Sequence, residues 1–158
     1  IFYEYGEESN SKKIAETIII NRPIQTTNEL VSVIKSSLPR QNPKFTKNTV
    51  RKIFQAIRIE VNNEISEIIE SLETVKNFIK SNGIMVFLSY HSIEDRTVKQ
   101  FIDKETKGCT CDPKLAICIC ENVPLFKLGK YKKRKPSNNE IKKNPRSKSA
   151  VLRFMVKI

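Results

Sequence analysis

The longest periodic signal in the chain lies between residues 47 and 81. Val50, Ile53, Phe54, Ile57 and Val61 recur at intervals of three and four, as do Ile65, Ile68, Ile69, Leu72, Val75 and Ile79. Such spacing lines one face of an α-helix. Asn62-Asn63, two poor helix formers, predict a kink or a break between the two halves. Gly83 is suited to the position just past the helix end. The pattern then changes. Ile84 to Leu88 is an unbroken apolar run between that glycine and the polar cluster Ser89-Tyr90-His91-Ser92. It is expected as a strand buried on both faces, as in a parallel sheet. Ser92 stands three residues before Asp95, the capping-box spacing that opens a helix. That helix should bury Val98, Phe101 and Ile102 and stop near Gly108.

The flanks are weaker. Ile14, Ile18 and Ile19 mark one face of a helix of about ten residues preceded by Ser9-Asn10-Ser11. Thr27 can cap a second short helix carrying Leu30, Val31 and Ile34, and Pro39 and Pro43 close the segment. Helices this short are expected to pack on something outside the chain. Residues 109–124 read as a loop holding all four cysteines, and 125–131 as a strand. Ser137 and Glu140 repeat the capping-box spacing before one helical turn ended by Asn144-Pro145. In the last segment Ala150, Leu152, Phe154 and Val156 alternate onto one face of a strand. Helix, glycine, buried strand and capped helix in that order are half of a repeating α/β unit. Open sheets of this kind place ligands at the carboxyl end of a strand, on the turn into the helix.

Charge sharpens the picture. The 158 residues carry a net charge of +12, distributed unevenly. Residues 1–120 hold 17 basic and 15 acidic side chains, whereas residues 121–158 hold 12 basic and 2 acidic. A basic block of this kind points to a polyanion, nucleic acid before membrane. No run of eighteen apolar residues exists to span a membrane, and no secretory signal opens the chain. The first residue is Ile1 rather than Met, as in a piece of something longer.

Cys109-x-Cys111 and Cys118-x-Cys120 are two close pairs. Four thiolates can surround one zinc tetrahedrally, although structural sites favour C-x-x-C. Reduced thiols in a turn and a disulfide stand beside zinc as alternatives.

Several stretches together resemble one family. They are Tyr5-Gly6-Glu7-Glu8; Thr26-Thr27-x-Glu29-Leu30; Phe54-Gln55-Ala56-x-Arg58-Ile59-x-Val61-Asn62-x-Glu64; Ser89-Tyr90-His91-Ser92-Ile93-Glu94-Asp95-Arg96; Gly108-Cys-Thr-Cys111; and Asn144-Pro-Arg-Ser-Lys-Ser-Ala-x-Leu-Arg153. In order and nearly end to end, they look like the carboxyl-terminal half of the ribosomal small-subunit methyltransferase H family, also called MraW.

The resemblance implies an α/β fold: the second half of a Rossmann-like class I methyltransferase sheet over residues 47–158, and the tail of an inserted helical domain over residues 1–46. It implies methyl transfer from S-adenosylmethionine to the exocyclic amine (N4) of a cytidine in the 16S-type rRNA of the small subunit. It also implies a bacterial cytoplasm or an organelle, and leaves the oligomeric state open, a homodimer included. The family's glycine-rich cofactor loop belongs to its first half. With four glycines and no G-x-G, this chain is not expected to bind the cofactor well by itself. A non-catalytic RNA- or ribosome-binding module derived from the family is the alternative.

The cytosine amine is a poor nucleophile, because its lone pair is delocalised into the ring. The base must be extracted and its amine held in line with the methyl group by hydrogen-bond acceptors. Ser89, His91 and Ser92 are the candidates for that pocket, against a reading of Ser92 as a helix N-cap and His91 as a hydrogen-bonded strand-end residue. Lys130, Lys132, Lys133, Arg134, Lys135, Lys142, Lys143, Arg146 and Lys148 are the candidate phosphate-binding face. Arg146 and Arg153 have a structural alternative, pairing carboxylates beside the terminal strands, and Gln55 and Arg58 are candidates to face a cleft.

Overall fold

The computed structural model describes residues 1–39, 42–109, 111, 123–129 and 133–158. They form two compact units, Ile1–Glu64 and Ile65–Ile158.

The first unit is helical, with α1 (Ser11–Ile20), α2 (Thr27–Ser37) and α3 (Pro43–Val61). Ile14, Ile34, Leu38 and Ile53 are buried together, with Phe2, Leu30, Phe54 and Ile57 packed around them. The two short helices therefore find their core on α3, within the chain, rather than outside it. The cap of α2 is Thr26, not Thr27: its hydroxyl accepts from the Glu29 N–H at 3.2 Å while Glu29 Oε2 accepts from the Thr26 N–H at 3.2 Å. Only Thr26 lies three residues before a glutamate, so only it closes the reciprocal pair. Pro43 opens α3 as its first residue instead of closing the preceding segment, because a missing N–H costs nothing in the first turn. The break at Asn62-Asn63 is present: α3 ends at Val61, and Asn63 takes φ 52°. Arg58 is held by Glu64, Nε to Oε1 at 2.7 Å and Nη2 to Oε2 at 3.1 Å.

The second unit runs α4 (Glu64–Val75), β1 (Ile84–Ser89), α5 (Ser92–Thr106), β2 (Phe126–Leu128), α6 (Asn138–Lys143) and β3 (Val151–Lys157). Its sheet has the order β1-β3-β2, with β3 antiparallel to both neighbours. Met85, Phe126 and Met155 on one face are buried with Val98, Phe101 and Ile102 of α5 and Leu72 of α4. The other face is not covered. Ile84, Val86 and Leu88 stay 59%, 60% and 54% exposed, opposite Val156, Phe154 and Leu152. Thus β1 is buried on one face only, and its observed pairing is antiparallel. The face of β3 carrying Leu152, Phe154 and Val156 is the less buried one; Arg153 and Met155 point to the core.

Turn chemistry before β1 also departs from expectation. The left-handed residue is Asn82, at φ 62°, and not Gly83. Gly83 is needed for space: a Cβ there would stand 2.7 Å from Ile79 Cγ2.

Candidate functional site

Strand β1 ends at Ser89, opposite Val151, and the chain turns into α5. The N-cap of α5 is His91, one residue before the expected Ser92. Its Nδ1 accepts from the Glu94 N–H at 3.3 Å, and Glu94 Oε2 accepts from the N–H groups of Tyr90 at 2.9 Å and His91 at 3.4 Å. This is a capping box with an imidazole in place of a hydroxyl. It works because Nδ1 is bonded to Cγ, as the side-chain oxygen of an asparagine cap is.

The cap determines what His91 can do. A nitrogen that accepts carries no proton, so the neutral ring holds its hydrogen on Nε2. Nε2 lies 2.8 Å from Glu94 Oε1, but off the line of a hydrogen bond, and has no hydrogen-bond partner among the described residues. A ring in that tautomer orients the turn; Nε2 cannot accept a proton until the cap is given up. His91→Ala is expected to cost about 1 kcal/mol, and His91→Asn to recover most of it. The check is urea unfolding with hydrogen exchange read at the first turn of α5; equal losses in both variants would reject the capping role.

Two cavities share Leu88, near the end of β1, in their linings. One, of about 380 Å³, has Glu67, Leu72, Phe87, Leu88, Ser89 and Glu94 among its lining residues. The other, of about 200 Å³, is lined by Leu88, Arg134, Lys135, Pro136, Glu140 and Leu152. Ser89 is buried, at 4% exposure, yet lines the first cavity; Tyr90 and Ser92 are exposed. The structure therefore brings Ser89 to a cavity rimmed by carboxylates, while the basic cavity lies on the other side of the strand. Glu67 and Glu94 are the lining residues that sequence reasoning missed. Glu94 was legible in the family stretch, but its placement three residues after His91 reads as helix-dipole chemistry without the tertiary contacts.

Asp95 turns the other way. It grips Arg153 of β3 through two bonds, Nε to Oδ1 at 2.6 Å and Nη2 to Oδ2 at 2.8 Å. The Arg153 guanidinium holds the Asp95 carboxyl below its usual range against the opposing effect of burial, and Lys133 and Lys99 add to it. Arg153 thus takes the structural role, tying the start of α5 to the centre of the sheet. At the opposite end of α5, Lys76 bridges Glu73 and Glu105. Burial works against its charge, yet hydrogen bonds to Glu105 and Glu73 outweigh it and keep its pKa raised.

Among the candidate phosphate-binding residues, Lys133, Arg134, Lys135, Lys142, Lys143, Arg146 and Lys148 are all exposed. The backbone of Arg134 bridges to Leu152, N to O at 2.8 Å and O to N at 2.9 Å, which pins the basic stretch beside the tip of β1. Lys130 and Lys132 lie outside the described residues.

Cys109 is exposed and Cys111 half-buried, and the Cys111 N–H donates to Cys109 Sγ at 3.4 Å. Cys118 and Cys120 lie outside the described residues, among which no group of three or more His, Cys, Asp or Glu side chains could hold a metal. Zinc thus rests on cysteine spacing alone. None of the four glycines lines the two cavities, and Gly129 is taken up in packing, where a Cβ would meet Phe154 Cε2 at 1.9 Å. No helix among the described residues is long and apolar enough to cross a membrane.

Comparison with known proteins accounts for the motif order. The chain is 43% identical to the ribosomal RNA small subunit methyltransferase H of Caldicellulosiruptor saccharolyticus, with all of the chain and 52% of that protein covered. The protein of the same name from Citrifermentans bemidjiense is 42% identical, with 100% and 52% covered. That from Dehalococcoides mccartyi (strain 195) is 39% identical, with 100% and 45% covered. The chain spans about half the length of these curated relatives and matches their carboxyl-terminal portions. The profile of the MraW methylase family matches residues 1–158, and the chain belongs to that family.

Proposed function

We propose that this chain is the carboxyl-terminal half of a methyltransferase that transfers methyl from S-adenosylmethionine to N4 of a cytidine in small-subunit rRNA. The observation that carries the reading is the family match along all 158 residues, in proteins named as small-subunit rRNA methyltransferases. Local chemistry supports it. The exocyclic amine of cytosine presents hydrogens and needs acceptors, and the cavity at the tip of β1 supplies the Ser89 hydroxyl and the carboxylates of Glu67 and Glu94. His91 positions that turn through its cap, and Ser92 stands at the mouth of the helix. The exposed basic residues from Lys133 to Lys148 hold phosphates of the rRNA. S-adenosylmethionine is held by the other half of the family protein. In this reading residues 1–46 are the tail of an inserted helical domain, residues 47–158 are the back of a Rossmann-like sheet, and the compartment is a bacterial cytoplasm or an organelle.

The test is a fusion in which the amino-terminal portion of the Caldicellulosiruptor relative precedes Ile1. With labelled S-adenosylmethionine and small-subunit rRNA it should produce N4-methylcytidine, identified by mass spectrometry of nuclease digests. Methyl on another atom, or none, would reject the reading. A second reading, an RNA-binding module without catalysis, is supported by the exposed basic residues from Lys133 to Lys148. It predicts that the fusion binds rRNA and transfers nothing.

A further inference from the structure

Thr26, His91 and Ser137 each cap a helix and stand three residues before a glutamate, but only two of those glutamates close the pair. Glu29 and Glu94 reach back to the backbone of their caps. At the start of α6 the Ser137 hydroxyl accepts from the Glu140 N–H at 3.2 Å, yet the Glu140 carboxylate does not return the bond. That carboxylate has no hydrogen bond or ion pair among the described residues, and it lines the cavity of about 200 Å³ beside Leu88.

The rest of that cavity fits a nucleobase. Leu88, Pro136, Ala150 and Leu152 supply apolar walls, and the exposed Arg134 and Lys135 supply positive charge. An unstacked base is held between apolar side chains and read on its Watson–Crick edge, while cations meet its phosphate. The volume lies below the roughly 300 Å³ at which pockets for larger ligands begin, so one base fills it. A carboxylate only accepts, through both oxygens. Its match is a pair of adjacent donors, and among the four bases guanine alone presents one, N1–H beside the N2 amine. Cytosine and adenine set an acceptor next to their amine, and uracil places its one N–H between two carbonyls. Leu88 also borders the cavity of Ser89 and Glu94, so bases in the two cavities belong to one short stretch of strand.

We infer that the cavity of Leu88, Arg134, Lys135 and Glu140 is a guanine subsite, which takes an unpaired guanosine close to the target cytidine and has Glu140 as its specificity residue. This rests on the rRNA reading above, and its test reads base preference rather than methyl transfer, so either can fail alone. The isotope-labelled chain is titrated with the monophosphates of guanosine, inosine, adenosine, cytidine and uridine, and the amides of Arg134, Glu140, Ala150 and Leu152 are followed by NMR. Guanosine monophosphate should shift those amides and bind at least about fivefold tighter than the other four. Inosine monophosphate, which lacks only the N2 amine, is the most exacting comparison. Glu140→Gln should bring all five affinities within about twofold of one another. Its fold should be unchanged, because the side chain is exposed and unbonded. Lys135→Gln should weaken all five alike. Equal affinities in the parent would overturn the proposal, as would a guanine preference that survives Glu140→Gln. Shifts confined to amides away from this cavity, or none at millimolar nucleotide, would overturn it too.

Discussion

Replacing Asp95 with alanine is expected to destabilise the second unit by about 3 kcal/mol. The side chain of Arg153 is only 9% exposed and both of its bonded nitrogens face Asp95. Without the carboxylate the buried guanidinium loses the two hydrogen bonds it makes to Asp95, and less of its desolvation is offset. Arg153→Ala should cost less, because the orphaned Asp95, 20% exposed, regains water. The pair is not irreplaceable as volume. Asp95→Leu with Arg153→Met should come within about 1–2 kcal/mol of the parent, since apolar packing often replaces a buried pair at little cost. Hydrogen exchange at α5 and β3 reads these values in the unit concerned. A loss in the double variant equal to the sum of the two single losses would show that the residues do not act as a pair.

The same pair carries a pH signature. Asp95 has its pKa lowered on folding, first by Arg153. A lowered carboxyl contributes stability that is present above the unfolded value, about 3.9, and is lost as pH falls through the folded value. The parent should therefore lose stability below about pH 4 more steeply than Asp95→Asn. Parallel curves for the two proteins would contradict the assignment.

The second large effect concerns RNA. If six exposed basic side chains from Lys133 to Lys148 each neutralise one phosphate, the log-log dependence of affinity on salt has a slope of about −5. Affinity for a small-subunit rRNA fragment then falls roughly a thousandfold between about 50 and 200 mM salt. Changing Lys142, Lys143, Arg146 and Lys148 together to glutamine should bring the slope to about −2. Because these side chains are exposed, the fold should be unaffected, which circular dichroism checks. An affinity independent of salt would remove the basic face from the account.

Sequence reasoning read the elements well and their partners poorly. The apolar stripes of α3, α4 and α5 are periodic enough to be recognised without coordinates, as is the break at Asn62-Asn63. Caps at Thr26 and His91 were each displaced by one residue. A threonine beside a threonine, or a serine beside a histidine, offers two acceptors, and only the backbone path determines which one meets the glutamate. The run Ile84–Leu88 reads as buried on both faces because its sequence is apolar on both; half of that apolar surface is open in this chain.

By itself the chain of residues determined the helix faces, the basic carboxyl-terminal block and, through motifs in fixed order, the family. These are local or additive properties, set by spacing and charge. Tertiary structure alone decided that Asp95 meets Arg153 across 58 positions, that Glu94 and Ser89 line one cavity, and that Arg134 is pinned beside the tip of β1. Such meetings depend on strand register and on the order β1-β3-β2. Register is set by which apolar faces pack together over the whole unit, and no short window of sequence contains that sum.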